Sequence, residues 1–423
     1  MNILGINGSL GFDGNISTVS DLDFWVHGSG ATLFIDGELM GSISEERLTR
    51  LKHDGDWPRK SIEQLLNRNN LKPEDIDMVG YVSNASIISY SLKIQGYNNK
   101  ALSEMFPNAK IMFVDHHLAH ASASFLTSDF EEANIFTFDG AGDYHPTPKH
   151  QPTKLNNSTF FTGDKANKKV TPLFHTYMDF NEFGSFYVQL SWIIFQRMVN
   201  GEVTIDDPKL SHARELKNIQ NMNTIFSYSS PREATNYEHD FHDEFFGTPV
   251  SRETYPGKIM GLSAYGDYKK VPNDEPFRFK FEEGFPVVEI TQPVGQPWIF
   301  TFKDYGPEDL AAWLQHYFEK YLLMYLENIP KDIKTKNLCL GGGCALNILA
   351  NSKIISNGIY EDVHVNTAPN DDGLNFGAAI LCVFENEEKT ILPKNTGCIG
   401  LDYNDDDVKK LIDKFNIKEN NEL

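Results

Sequence analysis

The stretch VDHHLAHASASF, Val114 to Phe125, constrains the fold of this chain most. It continues a short apolar strand, 111–114, and runs at once into a helix. A strand that feeds straight into a helix belongs to a layered α/β architecture. On that helix His116 and His120 stand four residues apart, on one face, with His117 between them. Imidazoles so spaced either close on one metal ion or cap the helix and bond backbone carbonyls, and the spacing leaves both open. A second segment, FTFDGAGDY, Phe136 to Tyr144, places Asp139 at the end of an apolar strand and before a glycine-rich turn. Two helical histidines plus a carboxylate from elsewhere is a recurring recipe for a bound transition metal.

The order of elements predicts two lobes. Apolar runs at 3–6, 31–35 and 38–44 read as strands, the last two joined by Asp36-Gly37, a pair that tolerates positive φ in a tight hairpin. A helix over 61–69 and strands over 78–83 and 111–114 complete β-β-β-α-β-α. A second set starts with a strand at 134–138 and has long helical patterns at 183–199 and 307–328. A strand at 337–340, a glycine turn and helix, a strand at 363–366 and a helix at 373–384 follow. The expected fold class is α/β, a two-lobed actin/sugar-kinase/Hsp70-like fold of duplicated mixed sheets flanked by helices. The expected boundaries are 1–130 and 131–392 for the lobes, with an insertion at 200–255, and 393–423 as linker or tail. The insertion, with His212, His239 and His242, reads either as a cover over the site's mouth or as a passive surface loop.

Two strand-to-helix junctions carry candidate ligand contacts. Gly341, Gly342 and Gly343 let a backbone approach a ligand, and the helix that follows favours negative charge at its start. Asn347 in its first turns is placed to hydrogen-bond a ribose or phosphate. The same glycines also suit a tight turn with no ligand. Asp371-Asp372-Gly373 repeats the pattern, with Asp371 either a helix cap or a metal ligand.

Composition narrows the partners. The formal net charge is −21, which repels phosphate backbones and anionic membranes, so duplex nucleic acid is disfavoured. Local cations in EERLTRLKH (Arg47, Arg50, Lys52, His53) are one place for an anionic substrate; the stretch is equally an ordinary solvated turn. No apolar run is long enough to span a bilayer, and MNILGINGSL reads as a buried first strand rather than a signal peptide. Cys339, Cys344, Cys382 and Cys398 show no CxxC spacing and read as reduced thiols. A cytoplasmic enzyme is expected.

Taken in order, further segments join these. HGSGATLFIDGELMGSISEERLTRLKHDGDWP runs from His27 to Pro58. PGKIMGLSAYG (256–266), LCLGGGCALNILAN (338–351) and PNDDGLNFGAAI (369–380) follow. The set resembles the O-carbamoyltransferase family of nodulation-factor, cephamycin and tobramycin carbamoyltransferases, whose forms include HDSSA-x-L, HH-x-x-H-x-x-S-x-F, D-G-x-G-D, GK-x-MGLA-x-YG, GG-x-ALN and D-x-G-x-x-x-GAA. The resemblance implies a divalent metal, iron(II) in the family, on His116, His120, Asp139 and Asp371. It implies His27 as the catalytic base, although Gly28 stands where the family has Asp. Lys258 would face the acyl phosphate, and Gly341, Gly342, Gly343, Asn347 and Gly373 the nucleotide. The implied reaction passes a carbamoyl group from carbamoyl-adenylate, made from carbamoyl phosphate and ATP, to an acceptor hydroxyl. The family makes that donor in a C-terminal YrdC-like domain marked GPRALGxRSI. No such segment occurs here, which leaves open a truncated chain, a different donor, or a YrdC-like domain or subunit acting in trans as partner, and a homodimer is one assembly open to the chain. Alternatives are a non-catalytic nucleotide-binding subunit, a small-molecule kinase of the same fold, or carbamoylation of a hydroxymethylated nucleobase.

Overall fold

The computed structural model describes residues 1–10, 28–51, 54–83, 92–140, 142–145, 154–177, 183–184, 186–188, 190–191, 194, 255–271, 275–291, 304–392, 399–400 and 405–415. The proposed insertion lies outside these, as do His27, Lys52, His53, Cys398 and most of the helical pattern at 183–199.

The first lobe is built on a five-stranded sheet. Strands β1 (Asn2–Asn7), β2 (Gly30–Ile35), β3 (Glu38–Ser44), β4 (Met78–Ser83) and β5 (Lys110–Asp115) lie in the order β3-β2-β1-β4-β5. The β1–β2 and β2–β3 pairs are antiparallel, while β1–β4 and β4–β5 are parallel. The hairpin turns where the sequence predicts, with φ of 49° at Asp36 and 79° at Gly37. Helix α1 (Arg59–Arg68) packs on β2 and β3, burying Ile62, Leu65 and Leu66. Its start is held from outside: Glu45, buried, accepts the N–H groups of Lys60 and Ser61 at 3.0 and 2.8 Å. The acidic half of EERLTRLKH is therefore a helix anchor. Helix α2 (Leu92–Met105) leads into β5.

The second lobe repeats this topology. Strand β6 (Glu132–Phe138) pairs antiparallel with β8 (Lys154–Asp164), and β8 with β9 (Lys169–Tyr177); the short β7 (Tyr144–His145) also adds to β8. On its other side β6 pairs parallel with β12 (Asn337–Gly341), and β12 with β13 (Asp362–Val365). The order β9-β8-β6-β12-β13 matches β3-β2-β1-β4-β5 strand for strand, with the same parallel and antiparallel pairings. The duplication that sequence similarity is too weak to reveal is plain in the register. A hairpin, β10 (Phe277–Glu282) and β11 (Phe285–Ile290), joins this lobe's core. Helix α4 (Tyr255–Leu262) and the long α5 (Pro307–Glu327) pack together there, and Trp313, Phe318 and Tyr325 are buried among Phe136, Phe138 and Phe160. Phe136 stacks on Tyr325 with centroids 4.6 Å apart.

Between the lobes two helices cross: α3 (His116–Leu126), entered from β5, and α7 (Leu374–Asn386), entered from the loop after β13. Alanine and serine let α3 lie deep in the molecule; Ser124 Oγ donates to Leu340 O at 2.8 Å. At the crossing Gly377 meets the backbone of Ala119, and a Cβ at 377 would stand 2.0 Å from Ala119 O. Helix α6 (Ile348–Asn357) follows β12 and ends in Gly358 at φ 67°. Helix α8 (Asp405–Phe415) is the last described element. Cys339, Cys344 and Cys382 are free thiols, as read from sequence.

The crossing gives a test with opposite signs. Gly377→Ala places a methyl inside the α3–α7 contact and should destabilise by about 1–3 kcal/mol, the usual cost of overpacking. Gly261→Ala, at a helix position with nothing among the described residues within 4 Å of the added carbon, should be neutral or stabilise by about 0.5–1 kcal/mol. Urea unfolding of both variants checks this; a stable Gly377→Ala protein would refute the close crossing.

Candidate metal centre

The ligand candidates all leave from the carboxyl ends of strands, where open α/β sheets bind their ligands. His116 is the first residue of α3 after β5, and His120 lies one turn on. Asp139 follows β6. Asp371 lies in the loop between β13 and α7. The structure brings these four together, with ligand atoms within 4.8 Å of one another. The two Nε2 atoms are 3.1 Å apart. Asp139 Oδ2 lies 3.8 Å from His116 Nε2 and 3.2 Å from His120 Nε2, and Asp371 Oδ1 lies 3.6 and 3.3 Å from the same atoms. Metal–N and metal–O bonds of about 2.0–2.2 Å require ligand atoms roughly 3–3.6 Å apart. Four of the five quoted spacings lie in this range, and the fifth, His116 Nε2 to Asp139 Oδ2 at 3.8 Å, is slightly longer, an arrangement close to that needed for one ion. Two neutral imidazoles and two carboxylates also balance a divalent charge. Burial is nearly complete, with side-chain exposures of 4% for His116, 1% for His120, 15% for Asp139 and 8% for Asp371.

Backbone donors orient the carboxylates. Asp139 Oδ2 accepts the N–H of Gly343 at 2.9 Å, and Oδ1 accepts that of Gly140 at 2.7 Å. The GGG turn after β12 therefore reaches across to its neighbour strand β6 and holds a metal ligand. Gly341 lies against His120, where a Cβ would be 3.1 Å from that residue's carbonyl oxygen. Gly342 sits at φ 88° and donates its N–H to Pro369 O at 2.7 Å, which ties the turn to the Asp371 loop. Gly373 is buried in that loop, with its N–H on Asn370 O at 2.9 Å. Asn347 is the N-cap of α6, its Oδ1 taking the N–H of Ala350 at 3.0 Å. Its amide also forms a double bridge with Gln315 of α5, both contacts at 3.0 Å. Lys258 is exposed on α4. His27 lies outside the described residues. Gly28, beside it in sequence, has φ 66°, and its backbone abuts Asp371 and Asp372 so closely that a Cβ would be 2.8 Å from each. That contact allows only a small residue where the family carries Asp.

Charge and burial oppose each other here. Burial alone would lower the pKa of His116, but Asp371 and then Asp139 outweigh it and raise it to about 9. Burial raises Asp139, yet the hydrogen bonds from His116 and His120 hold it well below the usual carboxylate range. His117, buried beside the charge on His116, is pushed well below its ordinary value and stays neutral. Two acids missing from the sequence reading frame the site. Asp115 caps α3 by accepting the N–H of Leu118 at 3.0 Å, and Asp143 accepts that of His116 at 2.9 Å. The signal for Asp115 is an acid directly before a helix. For Asp143 it is the second acid of DGAGD.

With this geometry established, likeness to known proteins becomes informative. Residues 88–380 match the family described as the carbamoyltransferase N-terminus. The chain belongs to that family. Nodulation protein NolNO of Sinorhizobium fredii is 24% identical over 409 residues, covering 88% of this chain and 49% of that protein. Nodulation protein NolO of Bradyrhizobium diazoefficiens is 23% identical over 283 residues, covering 63% of this chain and 38% of that protein. The chain thus spans about half the length, or less, of the curated relatives it matches. Full-length HypF, solved in a phosphate- and nucleotide-bound form, superposes with a TM-score of 0.50 at 15% identity, over 92% of this chain and 47% of that one. That likeness shows the two-lobed fold.

The raised pKa of His116 fixes the sign of a pH dependence. In metal-free protein this imidazole is charged below about pH 9, so its contribution to stability is full below 6.5 and lost as pH rises through 9. Metal must displace that proton. Metal affinity should therefore rise about tenfold per pH unit up to about pH 9, with one proton released per ion. Calorimetry in buffers of different ionisation enthalpy reads the release. Affinity independent of pH between 6 and 8 would show that no charged imidazole is displaced.

Proposed function

We propose that the chain transfers a carbamoyl group from carbamoyl-adenylate, made from carbamoyl phosphate and ATP, to an acceptor hydroxyl. The carrying observation is the buried convergence of His116, His120, Asp139 and Asp371 in a chain of the carbamoyltransferase family. A nucleotide-binding scaffold without chemistry has no reason to keep four ligands at one seam. These residues are assigned to a divalent ion, iron(II), which when bound supplies a Lewis acid for a carbonyl or phosphate oxygen. His27 is assigned as the base: it takes the proton of the attacking hydroxyl as that oxygen bonds to the carbamoyl carbon. The bond from this carbon to the phosphate oxygen breaks and AMP leaves. Gly28, the residue after His27 in sequence, packs against Asp371 and Asp372, which supports this assignment. Lys258 is assigned to the donor's phosphate. Gly341–Gly343, Asn347 and Gly373 are assigned to the nucleotide's side of the cleft; the contacts of Gly341 and Gly343 with His120 and Asp139, and the engagement of the Asn347 amide with Gln315, leave their backbone for that role.

The assigned acceptor is a sugar or natural-product hydroxyl, and a hydroxymethylated nucleobase is the alternative. The net charge of −21 weighs against long duplex contact. Among the described residues no helix is long and apolar enough to cross a membrane. The assigned partner is a YrdC-like domain or subunit that makes the donor, in a cytoplasmic, reducing setting.

Transfer is tested with preformed carbamoyl-adenylate and a panel of sugar, polyketide and hydroxymethyl-nucleoside acceptors. The chain alone should transfer from that donor, yet release no pyrophosphate from ATP and carbamoyl phosphate until a YrdC-like protein is added. His27→Ala should cut the rate at saturating acceptor by roughly 10²–10⁴-fold while metal stays bound. Unchanged transfer by this variant would exclude His27 as the base, and carbamoyl-phosphate-dependent pyrophosphate release by the chain alone would exclude the assigned division of labour.

A further inference from the structure

We propose that Asp143 is a positioning residue of the metal centre, and that the loop 139–143 both supplies one ligand and sets the helix that carries two others. The proposal rests on the reading of His116, His120, Asp139 and Asp371 as a metal site. Asp143 is buried, and its Oδ2 accepts the backbone N–H of His116 at 2.9 Å. This is the N–H of a residue whose own ring faces the centre. A helix start needs such acceptors, but Asp115 already caps this one through Leu118. Asp143 comes instead from another lobe, four residues after the ligand Asp139. The distance between Asp139 and the backbone of His116 is thus set by one short loop.

The described residues of that loop are firmly held. Asp139 N–H donates to Asn157 O at 2.9 Å, Gly142 N–H to Asn156 O at 2.6 Å, and Asn156 N–H to Asp143 O at 2.9 Å. Gly142 lies flat on the His117 ring, where a Cβ would be 2.6 Å from Nε2. His117 is anchored in turn: its Nδ1 lies 3.0 Å from Thr137 Oγ1, and this hydroxyl gives its proton to Thr159 O at 3.2 Å. The hydroxyl must then accept, so His117 carries its proton on Nδ1. Strand β6 and its loop therefore grip two successive residues, His116 and His117, of the first turn of α3. Shifting the loop shifts both imidazole ligands relative to Asp139. Groups that orient ligands in this way typically govern metal affinity by 10–100-fold.

The test uses the full chain loaded with Co(II) as a spectroscopic probe. Asp143→Asn keeps the shape and removes the charge. It should release Co(II) into excess chelator about 10–100-fold faster and shift the visible d–d bands, while the metal-free protein melts near the parent temperature. Gly142→Ala, which lifts the loop off His117, should shift the same bands and speed release without touching Asp143. Unchanged release and spectrum in Asp143→Asn overturn the proposal. So does faster release that is matched by an equal loss of metal-free stability, because the role is then structural only. A parent chain that takes up no Co(II) instead overturns the metal reading itself, so the two failures are distinguishable.

Discussion

Everything in this molecule turns on putting like charges into a dry seam. Asp139 and Asp371 face the same two imidazoles at 3.2–3.8 Å, almost wholly away from solvent. Buried carboxylates are costly unless they are neutralised. In metal-free protein the compensation is a proton on His116, which is what raising its pKa to about 9 means. A divalent ion on these four groups, as proposed, would do the same with more charge. The seam is therefore a place where folding, protonation and metal binding are one coupled equilibrium. Backbone bonds beside the seam, from the N–H groups of Gly140 and Gly343 to Asp139 and from that of His116 to Asp143, keep the converging groups in place.

The repeated topology places the seam. Each lobe has three antiparallel strands followed by two parallel ones, and the parallel ends of both lobes face the junction. The two helices that cross there leave from equivalent sides: α3 follows β5 of the first lobe, and α7 follows β13 of the second. Their contact at Gly377 and Ala119 brings backbones close enough that His116 and His120 on one helix meet Asp371 just before the other. Side chains at the crossing are small because the ligands need the helices together. Asn7 Nδ2 donates to Gly28 O within the first lobe at 3.0 Å and reaches Asp371 O of the second at 3.4 Å, so it holds the same junction from the side of β1.

Much of this was legible in the sequence, and the limits are instructive. Strands such as β1, β2 and β6 were readable because they are buried on both sides, and the β2–β3 hairpin because its turn chemistry stands at Asp36-Gly37. The convergence of His116, His120, Asp139 and Asp371 was readable only in part from spacing on α3 and otherwise from family register, since no spacing rule links Asp371 to His116. The glycine turn reads from sequence as a ligand cradle or as a tight turn, and its described partners are Pro369 for Gly342 and Asp139 for Gly343. A strand-to-helix turn presents the same glycines to a phosphate or to the next strand's side chain, and only the β6–β12 pairing decides between them. Asn347 is similar: a polar residue at a helix start is a cap by local rules, and nothing local foretells its bridge to Gln315. Asp143 escaped because its acceptor role is made to a backbone N–H 27 residues away.

The charge balance can be carried one step further. With a divalent ion on two carboxylates and two neutral imidazoles, the ligand set sums to zero. Asp143 and Asp115 add two negative charges just outside it, at the first turn of α3. The dipole of that helix offers roughly half a positive charge at the same end. The helix start is thus where this surplus is best tolerated, and its N–H groups bind both acids directly. The neutral His117 between the two ligand histidines fits the same logic. It adds no charge to a site already balanced, and it spends its one proton on Thr137, leaving its other nitrogen against Gly142. A charged residue at position 117 would upset a balance that four acids, two imidazoles and one helix end maintain together.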